Sequence, residues 1–269
     1  MAKGIVRLAA MADLHCTRRS EGAYTQVFHR ISDQADVALL CGDLTDYGLP
    51  EEAHILAHEI QAGLSIPSVA VLGNHDHESG KQEKVRQILL NAGVMVLDGD
   101  ACEVKGIGFA GVKGFCGGFG RHSVEAWGEA ILKQFVQATI DEAMRLDKAL
   151  ARLASTVKVV LLHYAPIEST VRGEPPEIYP FLGSRRLEEA MARHHITAVF
   201  HGHAHHGSPE GHLANGTPVY NVAMPLLRRL AQPPGPYRLI DVPLHEEDMV
   251  ANEDAYLYEQ TTTTVAERI

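Results

Sequence analysis

Side chains able to hold a cation or move a proton fall into five short groups: Asp13-Leu14-His15, Gly42-Asp43, Gly73-Asn74-His75-Asp76, His163, and Gly202-His203-Ala204-His205. Carboxylate, imidazole and amide oxygen in one set suit borderline cations such as Mn²⁺, Fe, Zn²⁺ or Co²⁺ better than Ca²⁺. The candidate ligands are Asp13, His15, Asp43, Asn74, His163, His203 and His205. They are too many for one tetrahedral ion. They fit two ions that share a carboxylate, which in such sites lie about 3.5–4 Å apart.

Each group follows a short apolar run that reads as a buried strand. The runs are Ile5–Ala10, Val37–Cys41, Ser68–Leu72, Val157–Leu162 and Thr197–Phe200; Ile107–Gly111 is a sixth, ending in a glycine-rich loop. Near-continuous apolar strands indicate sheets covered on both faces. Helical patterns lie between them at about 23–33, 51–62, 81–91 and 185–194, with Pro50, Glu51 and Glu52 forming a good first turn. Alternating strands and helices predict an α/β fold in which carboxyl ends of strands converge on one crevice. Residues distant in sequence then meet there.

The ordered set D-x-H, G-D, G-N-H-D, H and G-H-x-H, spanning residues 13 to 205, resembles the calcineurin-like metallophosphoesterase superfamily. The resemblance implies a four-layer α-β-β-α sandwich with mixed sheets and the active site at the carboxyl ends of the strands. It implies two divalent or mixed-valence metal ions, Mn, Fe or Zn, as cofactors. Asp13, His15 and His205 would hold one ion, Asn74, His163 and His203 the other, and Asp43 would bridge them. His75 would sit at the substrate phosphate as acid or hydrogen-bond donor, with Asp76 orienting it and Asn74 also contacting substrate. The implied activity is hydrolysis of a phosphate ester by a hydroxide shared between the metals, a phosphodiester in preference to a monoester or a phosphoprotein. The substrate would be a small phosphate ester or a cyclic nucleotide.

Residues 112–153 break the strand–helix rhythm. A glycine-rich loop precedes a helical stretch from about Ser123 to Leu153, whose Trp127, Ile131 and Phe135 fall on one stripe beside Leu132, Val136 and Ile140. It is either a crossover helix packed on the sheet or a cap over the site. Arg121 and His122, just after the loop, are candidates for substrate contact. Later runs, Thr217–Val222 and Tyr237–Val242, are expected to extend the second sheet, and an arm begins near His245. The reading is one domain over 1–269.

Bland roles fit the remaining candidates. Asp46 caps a turn, Gly73 and Gly202 make tight turns of close backbone approach, and His201 and His206 are neighbours of ligands. His54 and His58 share a helix face without a third ligand. HGHAHH lacks the aspartate of a metallo-β-lactamase box, the first strand carries D-x-H where an amidohydrolase has H-x-H, and there is no P-loop.

The formal net charge of −10 argues against non-specific nucleic-acid binding through a basic face. The four cysteines form no C-x-x-C pair, and the amino terminus reads as a strand rather than a targeting segment. With no run long enough to span a membrane, a cytoplasmic protein with free thiols is expected. Oligomeric state is left open, a homodimer included. An alternative of another class is a metal-binding scaffold without catalysis.

Overall fold

The computed structural model describes residues 4–231 and 235–244, the side chain of His122 excepted. The first half runs β1 (Gly4–Met11), α1 (Thr25–Gln34), β2 (Val37–Cys41), α2 (Pro50–Gly63), β3 (Ser68–Val71), α3 (Gln82–Asn91) and β4 (Val94–Leu97). Then come β5 (Asp100–Val104), β6 (Ile107–Gly111), α4 (Ala130–Arg152), β7 (Lys158–Leu161), the short α5 (Tyr179–Leu182) and α6 (Arg185–Met191). The remainder is β8 (Ala198–His201), β9 (Glu210–His212), β10 (Pro218–Asn221), α7 (Met224–Leu230) and β11 (Arg238–Leu244).

The strands form two mixed sheets, ordered β11-β1-β2-β3-β4 and β5-β6-β7-β8-β10-β9. One apolar layer joins their inner faces, with Leu8, Leu39, Val69 and Val71 meeting Phe109, Val159, Leu161 and Phe200. A second layer packs α1, α2 and α3 on the first sheet through Phe28, Ile31, Leu56, Ile60, Val85 and Leu89. A third packs α4 and α6 on the second sheet through Leu146, Ala149, Leu150, Leu187 and Met191. Alternate side chains of one strand feed opposite layers, as Leu8 and Ala9 do. The expected α-β-β-α sandwich is the fold.

Two expectations are corrected. Only Thr217–Val222 extends the second sheet; the following run becomes β11 and pairs antiparallel with β1, from Gly4↔Leu244 to Ala10↔Arg238, at the edge of the first. The chain returns to its starting strand, a long-range choice no local pattern encodes. The stripe of α4 is also shifted: Trp127 and Ile131 stand in solvent at 68% and 73% exposure, and the buried residues are Val136, Thr139, Ala143, Leu146, Ala149 and Leu150. The helix begins only at Ala130, so the stripe counted from Trp127 starts outside it. The expected arm from about 245 lies outside the described residues.

Candidate metal centre

The carboxyl ends of β1, β2, β3, β7 and β8 meet at one edge of the sandwich. The loops after β1 and β2 run side by side, with Asp13 N–H donating to Gly42 O at 2.9 Å and His15 N–H to Asp43 O at 3.0 Å. This pairing aligns D-x-H with G-D. Asp13, His15, Asp43 and His203 all adopt positive φ, at 57°, 48°, 50° and 69°. Side-chain-bearing residues avoid that region, so four such residues around one point mark a backbone bent to aim its side chains.

All seven candidate ligands come together. Ligand atoms of Asp13, His15 and His205 lie within 4.8 Å of one another, as do those of Asp43, His163 and His203, and those of His15, Asp43 and His75. Asp43 thus belongs to groups on both sides. Its Oδ1 lies 3.2 Å from His163 Nε2 while Oδ2 lies 3.9 Å from His15 Nε2. Asn74 Oδ1 is 2.9 Å from His163 Nε2, and Asp13 Oδ1 is 2.9 Å from His205 Nε2.

The donor set fits a pair of cations on three counts. Outer nitrogens of three rings face backbone carbonyls: His163 Nδ1 at Cys41 O (3.1 Å), His203 Nε2 at Phe181 O (3.2 Å) and His75 Nδ1 at Asp46 O (2.7 Å). Each carbonyl accepts a hydrogen bond from the outer ring N–H, so that in the neutral ring the inner nitrogen is the lone pair. Both nitrogens of His15 are buried without a hydrogen-bond partner, although Nδ1 is 3.2 Å from Asp46 Oδ1 in poor geometry for one. Buried polar atoms rarely stay unsatisfied, and a cation at Nε2 would supply the missing partner. Thirdly, glycines clear space beneath the carboxylates. A Cβ on Gly73 would lie 2.1 Å from Asp43 Oδ1, and one on Gly202 would lie 2.4 Å from Asp13 Oδ2. The close approach expected at these two glycines is found, with the carboxylates as the neighbours; of the motif glycines only Gly42 takes a positive φ, at 84°.

The electrostatics agree. Burial disfavours charge on His163, but the neighbouring Asp43 outweighs it and raises the ring to about 9, while Asp43 is held well below the ordinary carboxylate range by that partner. A proton here stands where a cation would bind. His203, half-buried, is lowered to about 4 by desolvation and by the neighbouring His163, and stays neutral.

Asp76 does not orient His75. Its carboxylate accepts from Gly73 N (2.8 Å), Leu44 N (3.1 Å), Thr45 N (2.8 Å) and Thr45 Oγ1 (2.6 Å), so it ties the β3 loop to the β2 loop. Burial and the nearby Asp43 raise it to about 6 against those donors. The residue that steers His75 is Asp46, which the sequence reading set aside: its carbonyl holds the ring and its carboxylate faces His15. Its signal was its place three residues after Asp43, equally compatible with a turn.

His201 is a satisfied core histidine, 2.8 Å from Gly202 O and from Thr170 Oγ1, and burial lowers it to about 4. His206 bonds Arg229 at 2.7 Å. Arg121 lies exposed on the turn Gly120–His122; the side chain of His122 is outside the described residues.

The sequence matches the calcineurin-like phosphoesterase family model over residues 6–207. The chain belongs to that family. Among solved structures, a phosphopantetheinyl hydrolase from Mycobacterium tuberculosis superposes with a TM-score of 0.59 at 15% identity, over 87% of this chain and 95% of the other. TT1561 of Thermus thermophilus does so with a TM-score of 0.53 at 13% identity, over 90% and 100%. At these identities the likeness is one of fold. No curated protein matches the sequence. Membership implies metal-dependent phosphoester hydrolysis, and among the described residues no helix of this phosphoesterase is long and apolar enough to cross a membrane.

Proposed function

We propose that this chain hydrolyses phosphodiesters, with cyclic nucleotides among the candidate substrates, at a pair of divalent cations. The observation that carries the reading is the buried carboxylate of Asp43 between two clusters of inward-facing histidines. Asp13, His15 and His205 would hold one cation, and Asn74, His163 and His203 the other. Mn, Fe and Zn are the fitting metals. Bound there, such ions supply an activated water and charge compensation for the phosphoryl oxygens.

The protein's own groups do the rest. His75, its Nδ1 fixed on Asp46 O, turns Nε2 to within 4.0 Å of Asp43 Oδ2. From the rim of the cluster the ring, when it carries a proton on Nε2 as well, can hand that proton to a departing alkoxide. A diester leaving group gains more from that donor than a monoester does, hence the preference. Asn74 shares its amide oxygen with the His163 side, which leaves its nitrogen to donate to a phosphoryl oxygen. Arg121 and His122 remain candidates for substrate contact. Four buried, unpaired cysteines support a reducing, cytoplasmic setting.

The test is turnover of bis-p-nitrophenyl phosphate, p-nitrophenyl phosphate and cyclic nucleotides with Mn²⁺, Fe²⁺ or Zn²⁺. Diesterase activity abolished by chelation is expected; no turnover with any metal would favour the scaffold, and a monoester preference the phosphatase. His75→Ala should keep metal content by elemental analysis and lower kcat by about 10²–10⁴-fold. Metal lost together with activity would make His75 a ligand.

A further inference from the structure

The residues of the cluster are not equally supported. His163, His203 and His75 each rest an outer ring nitrogen on a backbone carbonyl. Asp13 and His15 are paired to the β2 loop, and Tyr24 Oη donates at 2.6 Å to the carbonyl of Leu14 between them. His205 has no such carbonyl. Among the described residues its one side-chain hydrogen bond runs from Nε2 to Asp13 Oδ1. Its side chain is 34% exposed, where that of His163 is fully buried. Apart from Asp13, what places this ring is its own backbone.

That backbone is gripped on both sides of one peptide group. Arg229 Nη1 donates to His205 O at 3.2 Å and to His206 Nδ1 at 2.7 Å, so its two N–H groups act on consecutive residues. Across the same peptide group, Glu174 Oε1 accepts from His206 N–H at 2.6 Å. A cation at the carbonyl and an anion at the amide match the dipole of the peptide unit. The Glu174 side is closely packed: a Cβ on Gly173 would lie 2.2 Å from His206 O. Glu174 is buried, whereas Arg229 stands exposed.

Helix α7 delivers Arg229, and its other end touches a second ligand segment. Met224, its first residue, donates N–H to Ala12 O at 2.9 Å, next to Asp13. Its last turn carries Arg229. The helix thus braces the end of β1 and the loop after β8, which belong to different sheets and supply Asp13 and His205 to one ligand group.

We propose that Arg229 is a positioning residue for the cation held by Asp13, His15 and His205, fixing the His205 peptide and through it the approach of the ring. This rests on the two-cation reading above. A guanidinium near a cation also repels it, so the two effects have opposite signs. Loss of Arg229 weakens that ion if positioning governs and tightens it if repulsion does. Removing a partner that orients a ligand costs about 10–100-fold in metal affinity. The ion on the His163 side, whose ligands rest on Cys41 O and Phe181 O, should keep its affinity.

Mn²⁺ titration of the full chain, followed by calorimetry and electron paramagnetic resonance, tests this. Wild type should take up a pair of ions, spin-coupled through Asp43. Arg229→Met should bind one as before and the other about 10–100-fold more weakly, so that at intermediate Mn²⁺ its spectrum is that of an isolated ion. Arg229→Lys, which can still donate to the carbonyl, should recover part of the loss. The metal-free Tm of Arg229→Met should stay within about 2 °C of wild type, as for other exposed side chains. Uptake in Arg229→Met equal to or tighter than in wild type overturns the proposal and leaves the metal reading intact. A larger fall in metal-free Tm with both ions weakened together also overturns it, because Arg229 would then brace the fold at large. Wild type that binds no Mn²⁺ overturns the metal reading itself, and the proposal with it.

Discussion

A single carboxylate lies between the two halves of the cluster. Asp43 is 1% exposed, accepts from His75 N–H at 2.9 Å and faces histidines from both sheets. If it bridges two cations, Asp43→Asn removes one charge from both at once. The expected result is loss of both metals, not one, in elemental analysis, with activity falling at least as far as metal content. Retention of a full complement would show that Asp43 bridges nothing. At this scale the sequence was most legible in residue type: D-x-H and G-H-x-H, taken with the other motifs, supply the donor atoms that the fold gathers. It was least legible where a residue acts through its backbone. Nothing in the letter sequence marks the carbonyls of Cys41, Asp46 and Phe181 as the groups that set three histidine tautomers.

Elements position the ligands through contacts remote from them. Helix α1 has no acidic residue in its first turn and no capping side chain of its own. Glu59 of α2 fills that role, accepting from the N–H groups of Gly22 (2.5 Å), Tyr24 (2.9 Å) and Thr25 (2.8 Å) and from Thr25 Oγ1 (2.8 Å). Burial alone would raise this carboxyl, but those donors lower it below its ordinary value. A lowered folded-state pKa means that the anion stabilises the fold above the unfolded-state pKa of about 4.3, and that this contribution is lost as pH falls through the folded-state value. Glu59→Gln should therefore cost about 1–3 kcal/mol at pH 7. The gap in Tm between wild type and variant should narrow between about pH 5 and pH 3. A gap independent of pH would show that Glu59 acts by packing and not by charge. Period and turn chemistry placed most of α1, α2 and α3 from sequence. They missed β4 and β5, because VMVL is short and DACEV carries polar residues on an edge strand.

The whole molecule is two sheets facing each other with the candidate site across their shared edge. Asp13, His15, Asp43 and Asn74 follow strands of the first sheet; His163, His203 and His205 follow strands of the second. Cations bound there would hold the two sheets together and bind only the folded chain. At a free metal concentration 100 times Kd, one such site adds about 2.7 kcal/mol, which for a chain of this size raises Tm by about 5–10 °C. Treatment with a chelator should lower Tm by that order in scanning fluorimetry, and Mn²⁺ should restore it. A Tm indifferent to both would mean that the clusters hold no metal.

By itself the sequence picked out the side chains that gather at the sheet edge and showed that strands end where those side chains begin. Both follow from local pattern, since apolar runs make strands and a break to polar residues ends them. Tertiary structure alone decided that β11 returns to β1, that Gly73 and Gly202 are clearance for carboxylates, and that Asp76 ties two loops while Asp46 steers His75. Each of these depends on contacts between segments many residues apart, and a spacing along the chain carries no distance across it.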